Sequence, residues 1–239
     1  MKTIIVSDLH EPPDSVLAEI EAMIAREAPE RVVFLGDYFD QLGDTPGDVT
    51  RMARWLKASL ADRRRTHLVG NHDASYLWPS PVTLCPGWEW PKQQEFSKTL
   101  DRTADRFAFH TWVDGWLLTH AGLSASWLPT GLALGEIDAW LTEQGLTARE
   151  SFVAHQTHWF VSVGFSRGGQ CRAGGILWCD HGELVPIPGL HQIYGHTPDR
   201  QPRWAGTDHL CLDTNLGNGP RHYAIVQDGR VEVSRFCLP

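Results

Sequence analysis

The sequence is poor in cysteine and in basic charge, and it has no long apolar run. Its cysteines number five among 239 residues, and they stand at Cys85, Cys171, Cys179, Cys211 and Cys237. An odd number without C-x-x-C spacing argues against a disulfide framework and against a structural zinc knuckle. No run approaches the roughly 18 apolar residues that cross a bilayer, so we expect no transmembrane helix and no membrane partner.

The net charge and the first residues of the chain indicate which partners and which cellular location to expect. The formal net charge is −8, whereas a protein that binds duplex nucleic acid presents a basic surface, so we expect no duplex partner. The 11 tryptophans are more typical of core and pocket lining than of a stacking surface for nucleic acid. The apolar run at residues 3–6 is too short for a signal peptide, and Asp8 soon follows it. We therefore expect a cytoplasmic protein.

The first third of the chain alternates between strand and helix patterns. Residues 3–6, 32–35 and 66–69 are short apolar runs typical of buried strands, and residues 16–27 and 49–61 have apolar positions at helical spacing. This alternation predicts parallel strands joined by right-handed crossovers.

The rest of the chain is predicted to hold further helices and a second set of strands. Four prolines indicate a loop over residues 79–91, and Asp114-Gly115 and Asp228-Gly229 are turn signals between strand patterns. The predicted helices are 93–109, 136–144 and 149–163, and the predicted strands are 111–113, 116–118, 176–179, 192–194, 210–212, 223–226 and 231–236. We expect one domain over residues 1–239, with a cap or insertion around residues 123–175.

Polar side chains follow the ends of the predicted strands. They are Asp8, His10, Asp37, Asp40, Asn71, His72, His120 and His196. Ligands of open α/β sheets bind at the carboxyl ends of the strands, and carboxylates, imidazoles and amides are ligands of divalent metals. Two ions about 3.5–4 Å apart need a bridging carboxylate. The pattern therefore predicts a two-metal site with Asp37 at its centre.

Each signal alone has a plainer interpretation. An Asp-x-His in a loop is more often structural than ligating, and a lone histidine such as His120 is often held by internal hydrogen bonds. Five such clusters, each after an apolar run, favour a common site.

Five of these stretches occur in the order 7–10 (SDLH), 36–40 (GDYFD), 70–73 (GNHD), 120–122 (HAG) and 195–198 (GHTP). As an ordered set they resemble the motifs of the calcineurin-like metallophosphoesterases. Residues 176–180 (ILWCD) and 212–215 (LDTN) look most like the phosphoprotein-phosphatase branch, which includes bacteriophage protein phosphatases and diadenosine tetraphosphate hydrolases. The resemblance covers residues 3 to about 236 and is least close in the middle. It implies an α/β (α+β four-layer) fold: two mixed β-sheets packed as a sandwich, flanked by helices, with a dinuclear metal site at the strand ends.

The resemblance also implies roles for the site residues. Metal one is assigned to Asp8, His10 and Asp37, and metal two to Asp37, Asn71, His120 and His196. The cofactors would be two divalent metal ions, with manganese expected and iron, zinc or nickel as alternatives. Asp40 would hydrogen-bond His72, which would protonate the leaving oxygen. A metal-bound hydroxide would attack phosphorus directly, without a phospho-enzyme.

The chain departs from the branch at three positions. Gln41 stands where the branch usually has arginine, Glu11 where it has glycine, and Asp73 where it has glutamate. Pro198 agrees with the phosphatase branch, whereas many phosphodiesterases have a histidine there. Glutamine cannot replace the bidentate contact of an arginine with phosphate, so a different arginine would hold the phosphate instead. The candidates are Arg167, Arg172, Arg200 and Arg221, each of which has a solvated surface role as its alternative.

Several functions fit this pattern. The leading interpretation is a phosphomonoesterase that acts on a phosphorylated small molecule or a phosphoprotein. The alternative is a nucleotidase or dinucleoside polyphosphate hydrolase, in which Trp88, Trp90 or Trp159 would stack on a base. A phosphodiesterase fits less well because of Pro198 and the acidic charge. A catalytically silent scaffold would have lost ligands or His72, and none of them is missing.

Overall fold

Two β-sheets packed face to face form the centre of the protein, and helices flank them. The computed structural model describes residues 1–10, 12–216 and 221–236. The strands are β1 (Thr3–Val6), β2 (Arg31–Phe34), β3 (Arg65–Leu68), β4 (Phe107–Ala108), β5 (His110–Val113), β6 (Trp116–Thr119), β7 (His191–Tyr194), β8 (Arg203–Ala205), β9 (His209–Cys211), β10 (His222–Gln227) and β11 (Arg230–Arg235). The helices are α1 (Asp14–Glu27), α2 (Pro46–Ala61), α3 (Asn71–Leu77), α4 (Trp90–Leu100) and α5 (Ile137–Val153).

Both sheets are mixed. The first has the order β11-β10-β1-β2-β3-β4, with β1 to β4 parallel and the β10–β11 hairpin antiparallel at its edge. The second has the order β5-β6-β7-β9-β8, in which β6, β7 and β9 are parallel. The predicted sandwich of two mixed sheets is confirmed. The parallel strands in each sheet place their carboxyl ends at one edge, where the polar stretches begin.

Alternation of side chains along each strand fills two apolar layers. Ile5 and Val33 face the second sheet and share a cluster with Leu118 and Ile193, whereas Ile4 and Phe34 belong to the cluster on the helix side. The helix side is completed by α1 and α2, whose buried positions are those expected from the sequence pattern. Since these strands are buried on both faces, they read as continuous apolar runs.

Local signals account for where α2 starts and how the last hairpin turns. Thr45 caps α2 in a capping box with Asp48, and Pro46 occupies its first turn. In the two-residue turn between β10 and β11, Asp228 and Gly229 have φ angles of 52° and 75°. Two positive φ angles are what a tight hairpin turn requires.

Several predicted elements are wrong. The helix predicted over 93–109 is α4, which ends at Leu100; Arg102, at φ 58°, then turns the chain toward β4. Helices 136–144 and 149–163 are instead one helix, α5, followed by short 3₁₀ turns. Residues 176–179 form a turn rather than a strand, and the final hairpin joins the first sheet, not the second. The sequence pattern also missed α3 and β8.

Residues 123–175 contain α5 and pack onto the main body. Ile137, Leu141 and Phe160 are fully buried and belong to the same apolar cluster as the helix side of the first sheet. The expectation of a single domain with a cap in this range stays a prediction.

The structure bears on the expectations about cysteines and about membrane-spanning helices. Cys85, Cys171, Cys179 and Cys211 are free thiols, and Cys237 lies outside the described residues. In the described ranges, no helix has the length and apolar character needed to cross a membrane.

Candidate functional site

The polar residues that follow the strands lie on sharply turned backbone. The following non-glycine residues have positive φ angles: Asp8 (36°), His10 (46°), Asp37 (54°), Asp40 (66°) and His196 (69°). Left-handed backbone is uncommon for such residues, and it concentrates at functional sites where the surrounding fold enforces it. All five come from the set of residues that the sequence singled out.

Asp37 lies between two groups of candidate metal ligands. One group is His10, Asp37 and His72, and the other is Asp37, His120 and His196; within each group the ligand atoms are all within 4.8 Å of one another. Asp37 Oδ2 is 3.5 Å from His10 Nε2 and 3.4 Å from His120 Nε2. Asp37 thus belongs to both groups; that it bridges two cations stays a prediction.

Two glycines allow the strand ends to approach this closely. A Cβ on Gly70 would lie 2.0 Å from Asp37 Oδ1 and 2.4 Å from its backbone nitrogen. A Cβ on Gly195 would lie 1.9 Å from Asp8 Oδ2. A side chain would clash at such distances, so Gly70 and Gly195 are needed for the strand ends to come this close.

Asp73 fastens the loop that carries Asp37 to the start of α3. Its Oδ2 accepts hydrogen bonds from the backbone N–H groups of Asp37 (2.7 Å) and Gly70 (2.8 Å), and its Oδ1 accepts one from Tyr38 (2.9 Å). Burial and the nearby Asp37 carboxylate raise the pKa of Asp73 to about 7. The sequence marked this residue only as a departure from glutamate, although an acidic residue three positions after a helix cap is a recognisable signal.

The Nε2 atom of His120 points toward Asn71 and His196. Its Nδ1 donates to the Leu35 carbonyl oxygen (2.9 Å), so in the neutral ring Nε2 bears a lone pair. That Nε2 is 2.9 Å from Asn71 Oδ1 and 3.2 Å from His196 Nδ1. Burial lowers the pKa of His120 and lowers the pKa of His196 well below its usual value. The Asn71 oxygen and the His120 lone pair are two acceptors that face each other, and this arrangement fits a divalent cation between them.

His10 repeats the arrangement on the other side of Asp37. Its Nδ1 donates to the Phe39 carbonyl oxygen (2.9 Å), which leaves the Nε2 lone pair facing Asp37 Oδ2. Burial lowers the pKa of His10, and the neighbouring Asp37 carboxylate opposes this shift. Backbone carbonyls thus fix the tautomers of both histidines, as the outer partners of metal-binding histidines do.

The pKa values of the two buried aspartates, Asp37 and Asp8, are shifted in opposite directions. Burial alone would raise the pKa of Asp37, but the four surrounding imidazoles hold it well below its usual range. Burial, together with Asp213 and Asp37, raises the pKa of Asp8. Asp8 accepts the backbone N–H of His196 through both oxygens, at 3.1 and 3.2 Å, and belongs to neither of the two ligand groups. Its carboxylate therefore lies against the end of β7.

His72 is paired with Asp40. His72 Nδ1 donates to Asp40 Oδ2 (3.0 Å), and Asp40 Oδ1 accepts from the Tyr76 hydroxyl (2.6 Å) with Lys92 Nζ 3.7 Å away. The side chain of Asp40 is fully buried. Burial opposes protonation of His72, but Asp37 and Asp40 outweigh it and raise its pKa. A proton donor held at one end by a buried carboxylate can serve as a general acid.

These residues open into a cavity of about 330 Å³. Its lining includes His10, Asp37, Asp40, Gln41, Asn71, His72, Pro86, Arg167, Trp178, His196, Pro198, Asp213 and Asn215. Arg167 Nη2 donates to the His196 carbonyl oxygen (3.1 Å), and its Nε donates to Asp180 Oδ2 (3.2 Å). Trp178 and the orienting role of Asp180 were not foreseen, although both belong to a stretch that the sequence had marked.

The other arginine candidates lie elsewhere. Arg172 and Arg200 are exposed and are not among the residues that line the cavity. Arg221 donates to the backbone carbonyls of Asp8 and Leu9, at 3.3 Å each, and lines a separate small cavity behind β1. Position 11, the site of another departure, lies outside the described residues.

The tryptophans proposed for base stacking do not line the cavity either. Trp88 and Trp90 contact each other edge to face with ring centroids 6.4 Å apart, and Trp90 is 62% exposed. Trp159 stacks between Trp127 and Trp140 in the segment that contains α5. Trp178 is the tryptophan that lines the cavity in the described part of the chain.

The sequence matches the family model of the calcineurin-like phosphoesterases over residues 1–200. No curated protein matches the sequence. Among solved structures, the cold-active protein-tyrosine phosphatase of a psychrophilic Shewanella species is similar, with 16% identity, a TM-score of 0.62, and coverage of 98% of this chain and 80% of that chain. A protein serine/threonine phosphatase from Saccharomyces cerevisiae with similarity to human PP5 has 10% identity, a TM-score of 0.53, and coverage of 99% and 79%. At such identities these likenesses show a shared fold.

Proposed function

Since the chain belongs to the calcineurin-like phosphoesterases and is a phosphoesterase hydrolase, we propose that it hydrolyses phosphomonoesters at a centre of two divalent cations. The observation that carries this proposal is the convergence of hydrogen-bond acceptors around His120 and Asp37. The residues assigned to hold the cations are Asp8, His10, Asp37, Asn71, His120 and His196. Their carboxylate, imidazole and amide donors suit manganese, and also iron, zinc or nickel.

The bound cations would supply Lewis-acid charge next to phosphorus and lower the pKa of water. The protein's own residues do the rest. Asp37, kept ionised by its imidazole neighbours, brings negative charge to the centre of the site. The carbonyls of Leu35 and Phe39 hold His120 and His10 in the tautomers that leave Nε2 free.

His72 is proposed to protonate the leaving oxygen. It lines the cavity, and its pairing with Asp40 leaves the second ring nitrogen free for substrate. The buried carboxylate favours the protonated ring, which is the form that can donate. Asp40 itself is held by Tyr76 and approached by Lys92, so it orients His72 and need not accept the proton.

Arg167 is proposed to hold the phosphate in place of the arginine that Gln41 replaces. Among the described residues that line the cavity, it is the one arginine or lysine, and Asp180 and the His196 carbonyl fix its direction. It reaches the site from the 123–175 segment, which we propose as an insertion within a single domain. One arginine beside Asp37, Asp40 and Asp213 suits a single phosphoryl group better than the several charges of a dinucleoside polyphosphate.

The experiment is a comparison of three substrates. Hydrolysis of p-nitrophenyl phosphate, bis-p-nitrophenyl phosphate and diadenosine tetraphosphate is measured with Mn²⁺ and after chelation. We expect Mn²⁺-dependent turnover that is fastest on the monoester. The His72→Asn variant, purified in the same way, controls for contaminating phosphatases. Absence of metal-dependent turnover on all three would overturn the proposal. Faster hydrolysis of diadenosine tetraphosphate than of the monoester would show that the substrate class is a dinucleoside polyphosphate.

A further inference from the structure

We propose that Cys85 fixes the orientation of the Asn71 side-chain amide, so that its oxygen and not its nitrogen faces the metal centre. The inference rests on the proposed function, because it takes Asn71 as a cation ligand. It makes Cys85 a positioning residue that acts through Asn71.

The thiol and the amide are joined by a pair of hydrogen bonds. Cys85 lies in the loop between α3 and α4 and is 6% exposed. Its Sγ donates to the backbone carbonyl oxygen of Asn71 (3.0 Å). A thiol has one hydrogen, so after this donation the sulfur can act only as an acceptor toward the side chain. The Asn71 Nδ2 atom lies 3.5 Å from Sγ and donates to it.

The orientation matters because the two ends of an amide are nearly equal in shape but opposite in chemistry. When Asn71 Oδ1 faces His120 Nε2, the two atoms are 2.9 Å apart and each presents a lone pair. A cation between them would be bound by both. With the amide reversed, Nδ2 would donate to that Nε2 and satisfy it without a cation. The NH₂ group has no lone pair available for a metal. The reversed amide would therefore compete directly with metal binding, and the sulfur acceptor opposes it.

The thiol is held in place by the same helix that bears Asn71. The Cys85 backbone N–H donates to Ser75 Oγ (2.8 Å), and that hydroxyl donates to the Thr83 carbonyl oxygen (2.8 Å). Ser75 and Thr83 are buried. Since Asn71 and Ser75 are one helical turn apart on α3, the loop cannot carry Cys85 away from Asn71 without breaking these bonds.

The test is calorimetric titration of Mn²⁺ into the metal-free protein. Cys85→Ala and Cys85→Val remove the hydrogen bonds, and valine does so at nearly constant volume, which guards against a variant that fails to fold. We expect both to weaken the binding of one of the two ions by about 10- to 100-fold, the range for loss of an outer partner of a metal ligand. Cys85→Ser, which retains a donor and an acceptor, should recover most of that affinity.

A matched control and a double-mutant cycle separate positioning from general packing. Cys179→Ala removes another buried thiol, whose Sγ donates to the Asp180 carbonyl oxygen at 3.7 Å and makes no bond to a proposed cation ligand among the described residues, and it should leave Mn²⁺ affinity unchanged. In an Asn71→Ala background, Cys85→Ala should cause no further loss, because the group through which it acts is gone.

Three results are decisive. If wild-type protein binds Mn²⁺ and Cys85→Val binds it equally well, the role of Cys85 is wrong while the proposed function stands. If Cys85→Ala weakens Mn²⁺ binding as much in the Asn71→Ala background as in the wild type, the role of Cys85 is also wrong. The effect would then be on packing and would not act through Asn71. If wild-type protein binds no Mn²⁺, the proposed function fails first.

Discussion

His72 Nδ1 donates to Asp40 Oδ2 across 3.0 Å, and the Asp40 side chain is fully buried. Burial of the ring opposes protonation of His72, but the Asp37 carboxylate and the bond to Asp40 outweigh it and raise the pKa of His72. The pair therefore favours a protonated imidazole at the wall of the cavity.

We predict that His72→Asn lowers kcat more on phosphate esters with poor leaving groups than on those with good ones. General acids contribute about 10²- to 10⁴-fold, and p-nitrophenolate needs little protonation. We expect a loss of about 10³-fold on an alkyl phosphate and a clearly smaller loss on p-nitrophenyl phosphate, measured as kcat at saturating substrate.

The control for this variant is another His–Asp pair. His110 Nε2 lies 3.0 Å from Asp138 Oδ1 beside α5, and neither residue lines the cavity of the site. His110→Asn should leave kcat unchanged on both esters. An equal loss on both esters for His72→Asn would contradict a general-acid role.

Gly70→Ala should weaken Mn²⁺ binding and lower the free energy of unfolding. The added Cβ would lie 2.0 Å from Asp37 Oδ1, so either the carboxylate or the end of β2 must move. Gly135→Ala is the matched control, because a Cβ there meets nothing within 4 Å. Titration calorimetry and urea unfolding measure both effects, and wild-type Mn²⁺ affinity in Gly70→Ala would show that the close approach is unnecessary.

Arg167→Ala should raise KM for p-nitrophenyl phosphate and weaken inhibition by inorganic phosphate. Loss of a charged hydrogen bond costs about 1.5–3 kcal/mol, or about 10- to 100-fold in affinity. Arg200→Ala, a change of the same chemistry at an exposed position outside the cavity, should alter neither value. If Arg200→Ala raised KM and Arg167→Ala did not, the phosphate contact would belong to the other arginine.

Stability should fall below neutral pH because of His67. Burial lowers the pKa of His67 to about 3, and its ring is held between the Tyr38 hydroxyl (2.8 Å) and Ser59 Oγ (3.0 Å). Between pH 6.5 and about 3 the unfolded chain binds a proton that the folded protein does not, so the free energy of unfolding decreases as pH falls. The slope from this group is at most about 1.4 kcal/mol per pH unit.

The His67→Gln variant isolates this contribution. It should be less stable than wild type at pH 7 but should lose less stability between pH 7 and pH 4.5, as measured by urea unfolding of metal-free protein. Equal losses in the two proteins would mean that His67 does not titrate on unfolding.

The sequence predicted the strand ends better than the elements between them. Short apolar runs followed by glycine and polar residues indicated β1, β2, β3 and β7, because buried strands leave a strong local pattern. The helix over 93–109 and the strand at 176–179 were wrong, since Arg102 turns the chain and Leu177 is held by a backbone bond to Phe160 rather than by a neighbouring strand.

Within the site, the sequence pattern identified the residue types that converge, but it did not predict the contacts that orient them. No spacing rule marks Cys85, which acts through sulfur. The position of Asp73 after the helix cap is recognisable, but it does not reveal the bonds of Asp73 to the backbone of Asp37 and Tyr38. Arg167 was one of four equal candidates until the fold brought it beside His196. Long-range pairings of this kind depend on how the 123–175 segment packs, which local patterns do not encode.

The most direct test of the two-cation centre is the number of Mn²⁺ ions bound by the metal-free protein, counted by titration calorimetry and checked by elemental analysis. We predict two ions per chain for wild type, one or none for His120→Ala, and loss of p-nitrophenyl phosphate hydrolysis when the ions are removed. Full hydrolysis after complete chelation, or a wild-type protein that binds no Mn²⁺, would contradict it.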